Sequence, residues 1–478
     1  MGGWNIRHKI MKHFTLSLFL FIAVSVQAGN VTIDPTRRNQ TLEGWGVSLC
    51  WWANMSGRWT DERLDTLVHW LTSPEGLNYN IFRYNIPGGD DPQWRHCELH
   101  HMAKPGSGKG LRAEMAGFKA YPDSPYDWQA DSAQIRVMLK IRAARPDAIF
   151  EAFSNTPPWW MTVSGCCAGH DDPSKDNLRT DQYTAFSQYL IDVCRHFRDS
   201  LGITFRTLEP FNEPYTNYWN RSGSQEGCHF EPASQVALLK VLHPLLLRSG
   251  LAMQLSASDE TATKASLRDL EVYGDATRML GQWNVHTYKA TNSERRAIRE
   301  LTRQKGLRLW MSESGDGGRG LHGNLAMLQR LFDDMRYLQP VAWVDWQYAE
   351  EFTDQWNLVR TRWTEQSYER IPNFYVRQQV TRFIRQGYTF LDVDDEQTLC
   401  ALSPDEREVV LVRLNGSREP SHTVYDLSSL GAVVPTIQTY TTSRRQQLEP
   451  STTTLNGHLL EADLLPLSVV TYVINIQQ

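Results

Sequence analysis

Eight short apolar runs, most of them followed by an amphipathic helical pattern, limit the folds that this chain can adopt. Strands that alternate with helices along a sequence form a parallel sheet with helices packed against it. Eight is the strand number of a (β/α)8 barrel, so the sequence predicts an α/β fold, a TIM barrel over residues 41–387, rather than a doubly wound sheet. The runs are Gly44–Trp51, Tyr79–Ile86, Ala148–Phe153, Thr204–Phe211, Met253–Ala257, Trp283–Tyr288, Leu307–Met311 and Val341–Tyr348.

The chain changes character towards its end. Short β-branched runs such as Val409–Leu414 alternate there with turn signals such as Asn415-Gly416. We therefore expect residues 388–478 to form a β-sandwich side domain, completed by a first strand or strands within residues 29–40. No tryptophan follows Trp363, which favours a structural role for the sandwich over carbohydrate binding.

The first residues have the pattern of an export signal. Basic residues precede an apolar run, Phe14–Val26, which ends at the small-residue cleavage pattern Val26-Gln27-Ala28. We interpret residues 1–28 as a signal peptide, with Met11 as an alternative start. The run is shorter than the roughly 20 apolar residues of a spanning helix. We expect an exported protein, periplasmic or extracellular, with no membrane anchor in the mature chain.

Charge and cysteine content exclude other classes of protein. The formal net charge is −5, with no basic excess, which argues against nucleic acid as a partner. The seven cysteines lack the spacing of zinc ligands, so we expect no metal site. Seven is an odd number, so at least one thiol is unpaired or pairs between chains, and the others are structural.

Two glutamates follow predicted strands and suggest a reaction. The run Thr204–Phe211 leads into Asn212-Glu213-Pro214, and Leu307–Met311 leads into Glu313. The carboxyl ends of barrel strands converge on one face, so the two carboxyl groups can meet. Cleavage of a glycosidic bond needs one protonated and one ionised carboxyl group, roughly 5–5.5 Å apart in retaining enzymes. Taken singly, either residue could instead cap a loop or pair with an arginine.

Together with the two glutamates, other polar and aromatic residues lie at the ends of six predicted strands. Any one of them could belong to the core or to a loop, but their agreement favours a site on this face. They include Arg83, Asn85, Asn155, Trp159, Asn212, His286, Tyr288 and Trp346.

Together these motifs resemble glycoside hydrolase family 30, most closely its endo-β-1,6-galactanase group. Asn-Glu-Pro is shared by many barrel glycosidases, whereas Gln225–His229 and the pair Trp159-Trp160 are more selective. The matching stretches are Glu43–Ser48, Trp51–Ala53, Arg83–Ile86, Asn155–Met161, Glu209–Pro214, Gln225–His229, Ser256–Glu260, Asn284–Tyr288 and Met311–Glu313. The sequence departs from the family pattern at Pro87, where glycine is expected, and in the loop Cys97–Ala120.

The resemblance implies a retaining hydrolase that needs no cofactor. Glu213 is similar to the family's acid/base and Glu313 to its nucleophile. By the same likeness, Tyr288 would orient the nucleophile, and the positive charge of Arg83 would keep Glu313 ionised. Trp346 would form the floor of the subsite on the non-reducing side.

The resemblance also implies sugar contacts. Asn212 would hydrogen-bond the 2-hydroxyl group of the sugar. We expect that Asp90, Glu226 and His229 include the residue that reads the axial 4-hydroxyl of galactose, although each could be an ordinary loop residue in a salt bridge. The other candidate sugar contacts are Asn85, Asn155, Trp159 and His286.

The function that we expect from the sequence is hydrolysis of a polysaccharide, β-1,6-linked galactan such as arabinogalactan side chains. A β-1,6-glucanase of the same family is the alternative among enzymes. A catalytically silent carbohydrate-binding protein on the same scaffold is the alternative from another class.

Overall fold

The computed structural model describes residues 30–93 and 116–477. Its centre is a closed barrel of eight parallel strands, in which the last strand pairs with the first. The strands are β1 Gly44–Ser48, β2 Ile81–Asn85, β3 Ile149–Phe153, β4 Thr207–Glu209, β5 Gln254–Ala262, β6 Leu280–Lys289, β7 Arg308–Ser314 and β8 Ala342–Asp345. Each overlaps one of the eight predicted runs, so the predicted TIM barrel is confirmed. The predicted signal peptide, and the loop Cys97–Ala120 up to residue 115, lie outside the described residues.

Helices cover the outside of the barrel. Buried side chains of α4 such as Phe186, Leu190 and Phe197 recur on one face, and the helix ends at Gly202, whose φ of 64° suits glycine. A reciprocal pair of hydrogen bonds between Thr291 and Glu294 begins α7. The helices are α1 Trp52–Ser56, α2 Asp61–Thr72, α3 Ser132–Ala144, α4 Tyr183–Leu201, α5 Pro232–Arg248, α6 Thr263–Tyr273, α7 Asn292–Gln304, α8 Gly320–Asp333 and α9 Pro372–Thr381.

The barrel interior is apolar at one end and polar towards the other. Ile81, Trp310, Ala342 and Val344, from β2, β7 and β8, form a small buried cluster. Further along the same strands the interior holds buried charged groups, which meet at the carboxyl ends of the strands. The polar half of the interior therefore leads directly to the predicted site.

Two further sheets form the sandwich beside the barrel. One has seven strands, in the order Glu449–Thr454, Thr436–Thr442, Ser468–Asn475, Glu408–Asn415, Thr398–Leu402, Thr389–Leu391 and Arg38–Thr41. The other has three, in the order Val31–Thr32, Ser421–Asp426 and Leu459–Leu464. Both early strands of the described chain thus belong to the sandwich. A small third sheet, which the sequence did not suggest, follows β8 and contains Ala349–Glu350, Val359–Arg362 and Ser367–Arg370.

The barrel and the sandwich pack through a continuous core. Phe390 of the sandwich contacts the ring of Trp45 in β1 edge-on, with ring centroids 6.3 Å apart. Buried Gln379 of α9 donates to Thr442 (2.8 Å), and its carbonyl accepts from Thr471 (2.7 Å). Among the described cysteines, Cys166 is disulfide-bonded and the other five are buried free thiols. Within the described ranges, no helix is both long enough and apolar enough to cross a membrane.

Candidate active site

A cavity of about 240 Å³ opens at the carboxyl ends of the barrel strands. Both predicted glutamates line it, together with other residues of the Glu213 loop and residues from four further strands or loops. The lining residues are Asn155, Asn212, Glu213, Tyr218, Gln225, Thr261, Tyr288, Glu313 and Trp346.

Glu213 is held by a tight turn after β4. Its φ is 47°, and its backbone N–H donates to the carbonyl of Asp259 (2.9 Å). Its own carbonyl accepts from the Thr216 hydroxyl (3.0 Å) and from the indole N–H of Trp219 (2.9 Å). A non-glycine residue with a left-handed backbone conformation is strained, and these hydrogen bonds stabilise it. The turn directs the Glu213 carboxyl group into the cavity.

The two carboxylates meet around a histidine. One oxygen of Glu213, one oxygen of Glu313 and a ring nitrogen of His286 all lie within 4.8 Å of one another. His286 Nδ1 is 3.1 Å from Glu213 Oε1, and the Tyr288 hydroxyl donates to Glu313 Oε1 (3.0 Å). The guanidinium of Arg83 lies 3.8 Å from Glu313 Oε2.

Burial and charge set the ionisation of this pair. Burial raises the pKa of Glu313 to about 7; the negative charge of Glu213 adds to this effect, and the positive charges of His286 and Arg83 oppose it. The Glu313 carboxyl group therefore loses its proton near neutral pH.

A buried ion network lies behind the pair. Arg83 donates through Nε to Glu151 (2.8 Å) and through Nη2 to Asp259 (2.5 Å), and Asp259 Oδ1 lies 3.0 Å from His286 Nε2. Burial alone would lower the pKa of His286, but Asp259 and Glu313 raise it well above its usual value. Burial alone would raise the pKa of Asp259, but Arg83 and His286 lower it. The network therefore holds a charged imidazolium against Glu213.

Comparison with known proteins identifies the family. Residues 28–277 match the family described as O-Glycosyl hydrolase family 30. An endo-beta-1,6-galactanase of Hypocrea rufa is 32% identical over 483 residues, which cover 96% of this chain and 97% of that protein. The chain belongs to glycoside hydrolase family 30. The predicted resemblance is confirmed, and the protein is a glycoside hydrolase.

Two more distant proteins are similar to this family 30 hydrolase. An exo-beta-1,6-galactobiohydrolase of Bifidobacterium longum subsp. longum is 25% identical over 423 residues, which cover 69% of this chain and 28% of that longer protein. The crystal structure of a conserved exported protein from Bacteroides fragilis has the same fold, with a TM-score of 0.78 and 17% identity. The match covers 93% of this chain and all of that one (100%).

Several residues predicted for the site of this hydrolase do not line the cavity. Asn85 and Glu226 are fully buried. The Glu226 carboxylate accepts from the backbone N–H groups of Gly88 and Gly89 (both 3.1 Å) and from Asn85 Nδ2 (3.1 Å). Burial raises the pKa of Glu226 to about 8, although these donors lower it. In this arrangement the polar atoms of Asn85 and Glu226 bind loop backbone, Asn155 and each other.

The other two candidates for the 4-hydroxyl contact also face inward. His229 is fully buried, with Nδ1 2.7 Å from the carbonyl of Thr216. Asp90 accepts from the backbone N–H of Cys167 (2.8 Å). Trp159 donates its indole N–H to the carbonyl of Ala120 (2.9 Å) and does not line the cavity. These loops fold back on the barrel, which the sequence did not reveal.

Sequence reasoning missed four residues of the site. Asp259, at the centre of the ion network, lies in the matching stretch Ser256–Glu260 but received no role. Tyr218, Gln225 and Thr261 line the cavity. Gln225 directly precedes the buried anchor Glu226, so the selectivity of that motif was the available signal. Tyr218 carried no signal of its own, because its position depends on how the loop after Glu213 folds.

The triad of Glu213, His286 and Glu313 is also spaced as metal ligands can be. Its charges disfavour a cation there. One ring nitrogen of the His286 imidazolium lies against Glu213 and the other against Asp259, so neither is free to bind a metal ion. The guanidinium of Arg83 adds a second positive charge beside Glu313. Acid/base chemistry by the carboxyl groups themselves suits the triad better.

Proposed function

We propose that this protein is an exported, retaining glycoside hydrolase that cleaves β-1,6-linked galactan, such as the side chains of arabinogalactan. The proposed substrate rests mainly on the similarity to the Hypocrea rufa endo-beta-1,6-galactanase, which extends over almost the whole of both chains. The second relative, whose name also specifies a β-1,6-galactose linkage, supports the same choice.

The spacing of the carboxylates supports a retaining mechanism. Retaining enzymes hold their two carboxyl groups roughly 5–5.5 Å apart, whereas inverting enzymes leave about 6.5–9.5 Å for a water molecule. One oxygen of Glu213 and one of Glu313 lie within 4.8 Å of each other, which fits the shorter spacing of retaining enzymes. NMR of the first product should therefore detect the β anomer before mutarotation. Initial release of the α anomer would contradict this proposal.

In the proposed reaction Glu313 attacks the anomeric carbon while Glu213 gives its proton to the glycosidic oxygen. The C–O bond to the leaving sugar breaks, and a covalent glycosyl ester forms on Glu313. Glu213, now ionised, takes a proton from water, and the water attacks the anomeric carbon and releases Glu313. Tyr288 orients the attacking carboxylate through its 3.0 Å hydrogen bond, and Arg83 stabilises its negative charge.

Three residues of the cavity are proposed to bind the sugar. The Oδ1 atom of Asn212 is buried with no hydrogen-bond partner in the described part of the chain, so it can accept from the 2-hydroxyl group. Asn155 offers a second amide, although Asn85 Oδ1 already accepts from it (3.2 Å). The half-buried ring of Trp346 forms the floor of the non-reducing subsite.

The inward-facing residues have a different proposed role. Asn85, Asp90, Trp159, Glu226 and His229 hold the loops that carry Asn155, Tyr218 and Gln225. Residues that line the cavity would then discriminate galactose from glucose. Gln225 and Thr261 are the new candidates for contact with the axial 4-hydroxyl group. Export rests on the predicted signal peptide, and mass spectrometry of the secreted protein should find a chain that begins at Gly29.

One product profile tests the substrate. Purified enzyme is incubated with β-1,6-galactan, β-1,6-glucan and xylan under matched conditions, with Glu313→Gln as the inactive control. We expect cleavage of galactan at least about tenfold faster than that of glucan, because an unsatisfied polar group costs about 1–3 kcal/mol. Comparable rates on the two polymers, or faster cleavage of glucan, would refute the galactanase assignment and leave the retaining mechanism standing.

A further inference from the structure

Tyr218 occupies an unexpected position at the mouth of the cavity. It lies five residues after Glu213 in the chain, and its hydroxyl donates to Glu213 Oε2. The other oxygen, Oε1, is engaged by His286 Nδ1 at 3.1 Å. Both oxygens of Glu213 therefore have partners in the free enzyme, yet the proposed reaction requires one of them to face the glycosidic oxygen.

The two partners of Glu213 differ in their freedom to leave. His286 is fully buried and lies against Asp259 as well as Glu213, so it cannot withdraw. Tyr218 is 45% exposed, so its ring can turn into solvent. The other titratable groups that face Glu213 are Glu313 and Tyr288, and the Tyr288 hydroxyl is already bound to Glu313. Arg83 lies beyond them, beside Glu313 and Asp259. Oε2 is therefore the oxygen that can be freed.

The loop around Tyr218 is anchored by side chains other than that of Tyr218. The next residue, Trp219, is buried, and its indole N–H donates to the Glu213 carbonyl (2.9 Å). The Thr216 hydroxyl donates to the same carbonyl (3.0 Å). The Tyr218 ring meets the Trp219 ring edge-on, with centroids 4.5 Å apart. A change of the Tyr218 side chain alone can open Oε2 without moving the backbone of Glu213.

We propose that Tyr218 is a positioning residue. In the free enzyme its hydroxyl donates to Glu213 Oε2, and when substrate binds, the Tyr218 side chain moves away and the glycosidic oxygen becomes the partner of Oε2. The inference rests on the proposed role of Glu213 as the acid/base. A donor to a carboxylate stabilises the ionised form over the acid form. Departure of the Tyr218 hydroxyl therefore favours protonation of Glu213 at the moment when a proton donor is needed.

The test compares two pH profiles of the Tyr218→Phe enzyme with those of the wild type. The profile of kcat/KM reports the free enzyme, and that of kcat reports the substrate complex. We expect the basic limb of kcat/KM to move to higher pH by about 1 unit, the size expected for loss of a hydrogen bond to a charged group. The basic limb of kcat should stay in place. Tyr375→Phe, on α9 and in contact with Phe374, is the matched control and should change neither profile.

Other outcomes overturn the inference in different ways. If neither limb moves, the hydroxyl of Tyr218 does not act on Glu213. If both limbs move together, Tyr218 stays bound in the complex and is not exchanged. In either case a bell-shaped wild-type profile would leave the proposed function intact.

A second measurement needs no substrate and separates this inference from the proposed function. Enzyme labelled with ¹³C at the glutamate side-chain carboxyl groups is titrated by NMR, and the Glu213 resonance is assigned from Glu213→Gln. We expect the midpoint of that resonance to rise by about 1 pH unit in Tyr218→Phe and to stay unchanged in Tyr375→Phe. An unchanged midpoint in Tyr218→Phe would overturn the inference, even for a protein that cleaves no galactan.

Discussion

Glu213 and Glu313 are the same amino acid in two different surroundings. Glu213 lies in a strained turn and receives hydrogen bonds from two side chains, one buried and one exposed. Glu313 lies near the end of β7, where the register to both neighbouring strands shifts, with the Tyr288 hydroxyl and the Arg83 charge beside it. Different surroundings change the pKa and the reactivity of a carboxyl group, so two identical side chains can perform different steps of one reaction.

The pH dependence of the reaction should follow in part from the ionisation of Glu313. Burial raises the pKa of Glu313 to about 7, so this carboxyl group is protonated below that pH and ionised above it. The proposed first step needs the ionised form of Glu313 as nucleophile. We expect kcat/KM on galactan to fall about tenfold for each pH unit below about 7. A profile that stays flat down to pH 5 would contradict this role of Glu313.

Replacement of Glu213 by alanine should have an effect that depends on the leaving group. Hydrolysis of galactan should fall by about 10²–10⁴-fold, because a poor leaving group needs a proton. The first step on an aryl galactoside with a good leaving group should be spared, and azide should restore turnover as the β-galactosyl azide. Steady-state rates with both substrates check this. Equal losses on both, without azide rescue, would exclude the acid/base role.

Loops that fold inward, rather than strands, give the cavity its shape. Glu226 fixes the turn after β2 by accepting from Gly88 and Gly89. Its neighbour Gly227 lies against the indole of Trp219, and a Cβ atom on Gly227 would overlap that ring. Because Trp219 donates to the carbonyl of Glu213, these contacts connect the motif Gln225–His229 to the turn that holds Glu213.

Gly227→Ala should therefore impair catalysis without unfolding the protein. The added methyl group must push Trp219, and with it the turn of Glu213, away from its position. We expect kcat/KM to fall by roughly 10- to 100-fold, as for small displacements of a reacting group. Gly416→Ala is the control, because a Cβ atom there meets no atom within 4 Å, and it should leave activity unchanged. A Gly227→Ala enzyme with wild-type kcat/KM would rule out this coupling.

The barrel and the sandwich form one packed unit at the scale of the whole molecule. Trp45 of the barrel and Phe390, Val410 and Val412 of the sandwich belong to the same buried cluster. Buried hydrogen bonds of Gln379 cross the same boundary. Separation of the two parts would expose apolar surface on both, at a cost of about 25 cal/mol for each Å².

The molecule should consequently unfold in one transition. Scanning calorimetry is expected to give a calorimetric enthalpy equal to the van't Hoff enthalpy. Tryptophan fluorescence, which reports the barrel because no tryptophan follows Trp363, should have the same midpoint as circular dichroism, which reports both parts. Two separated transitions would show that the shared core does not couple the barrel to the sandwich.

The fold was predictable because eight strand-like runs recur, most of them followed by a helical pattern. That Glu213 and Glu313 would meet was also predictable, because both follow barrel strands whose ends converge. The network of Arg83, Asp259 and His286 was not, since it joins residues far apart in sequence whose pairing only barrel closure creates. Glu226 and His229 were expected at the sugar because they lie in a loop that follows a barrel strand. A polar residue that binds loop backbone has the same sequence appearance, so only the structure separates the two cases.

The sandwich is built from both ends of the described chain, and this affects how the protein can be made. Thr41 in the early strand Arg38–Thr41 pairs with Thr389, 348 positions later. A ribosome therefore releases the early strand long before its partner is synthesised. A chain that ends before residue 389 would leave the edge of this strand unpaired, and unpaired strand edges promote aggregation. We therefore expect chains truncated before this point to aggregate more readily than the whole chain.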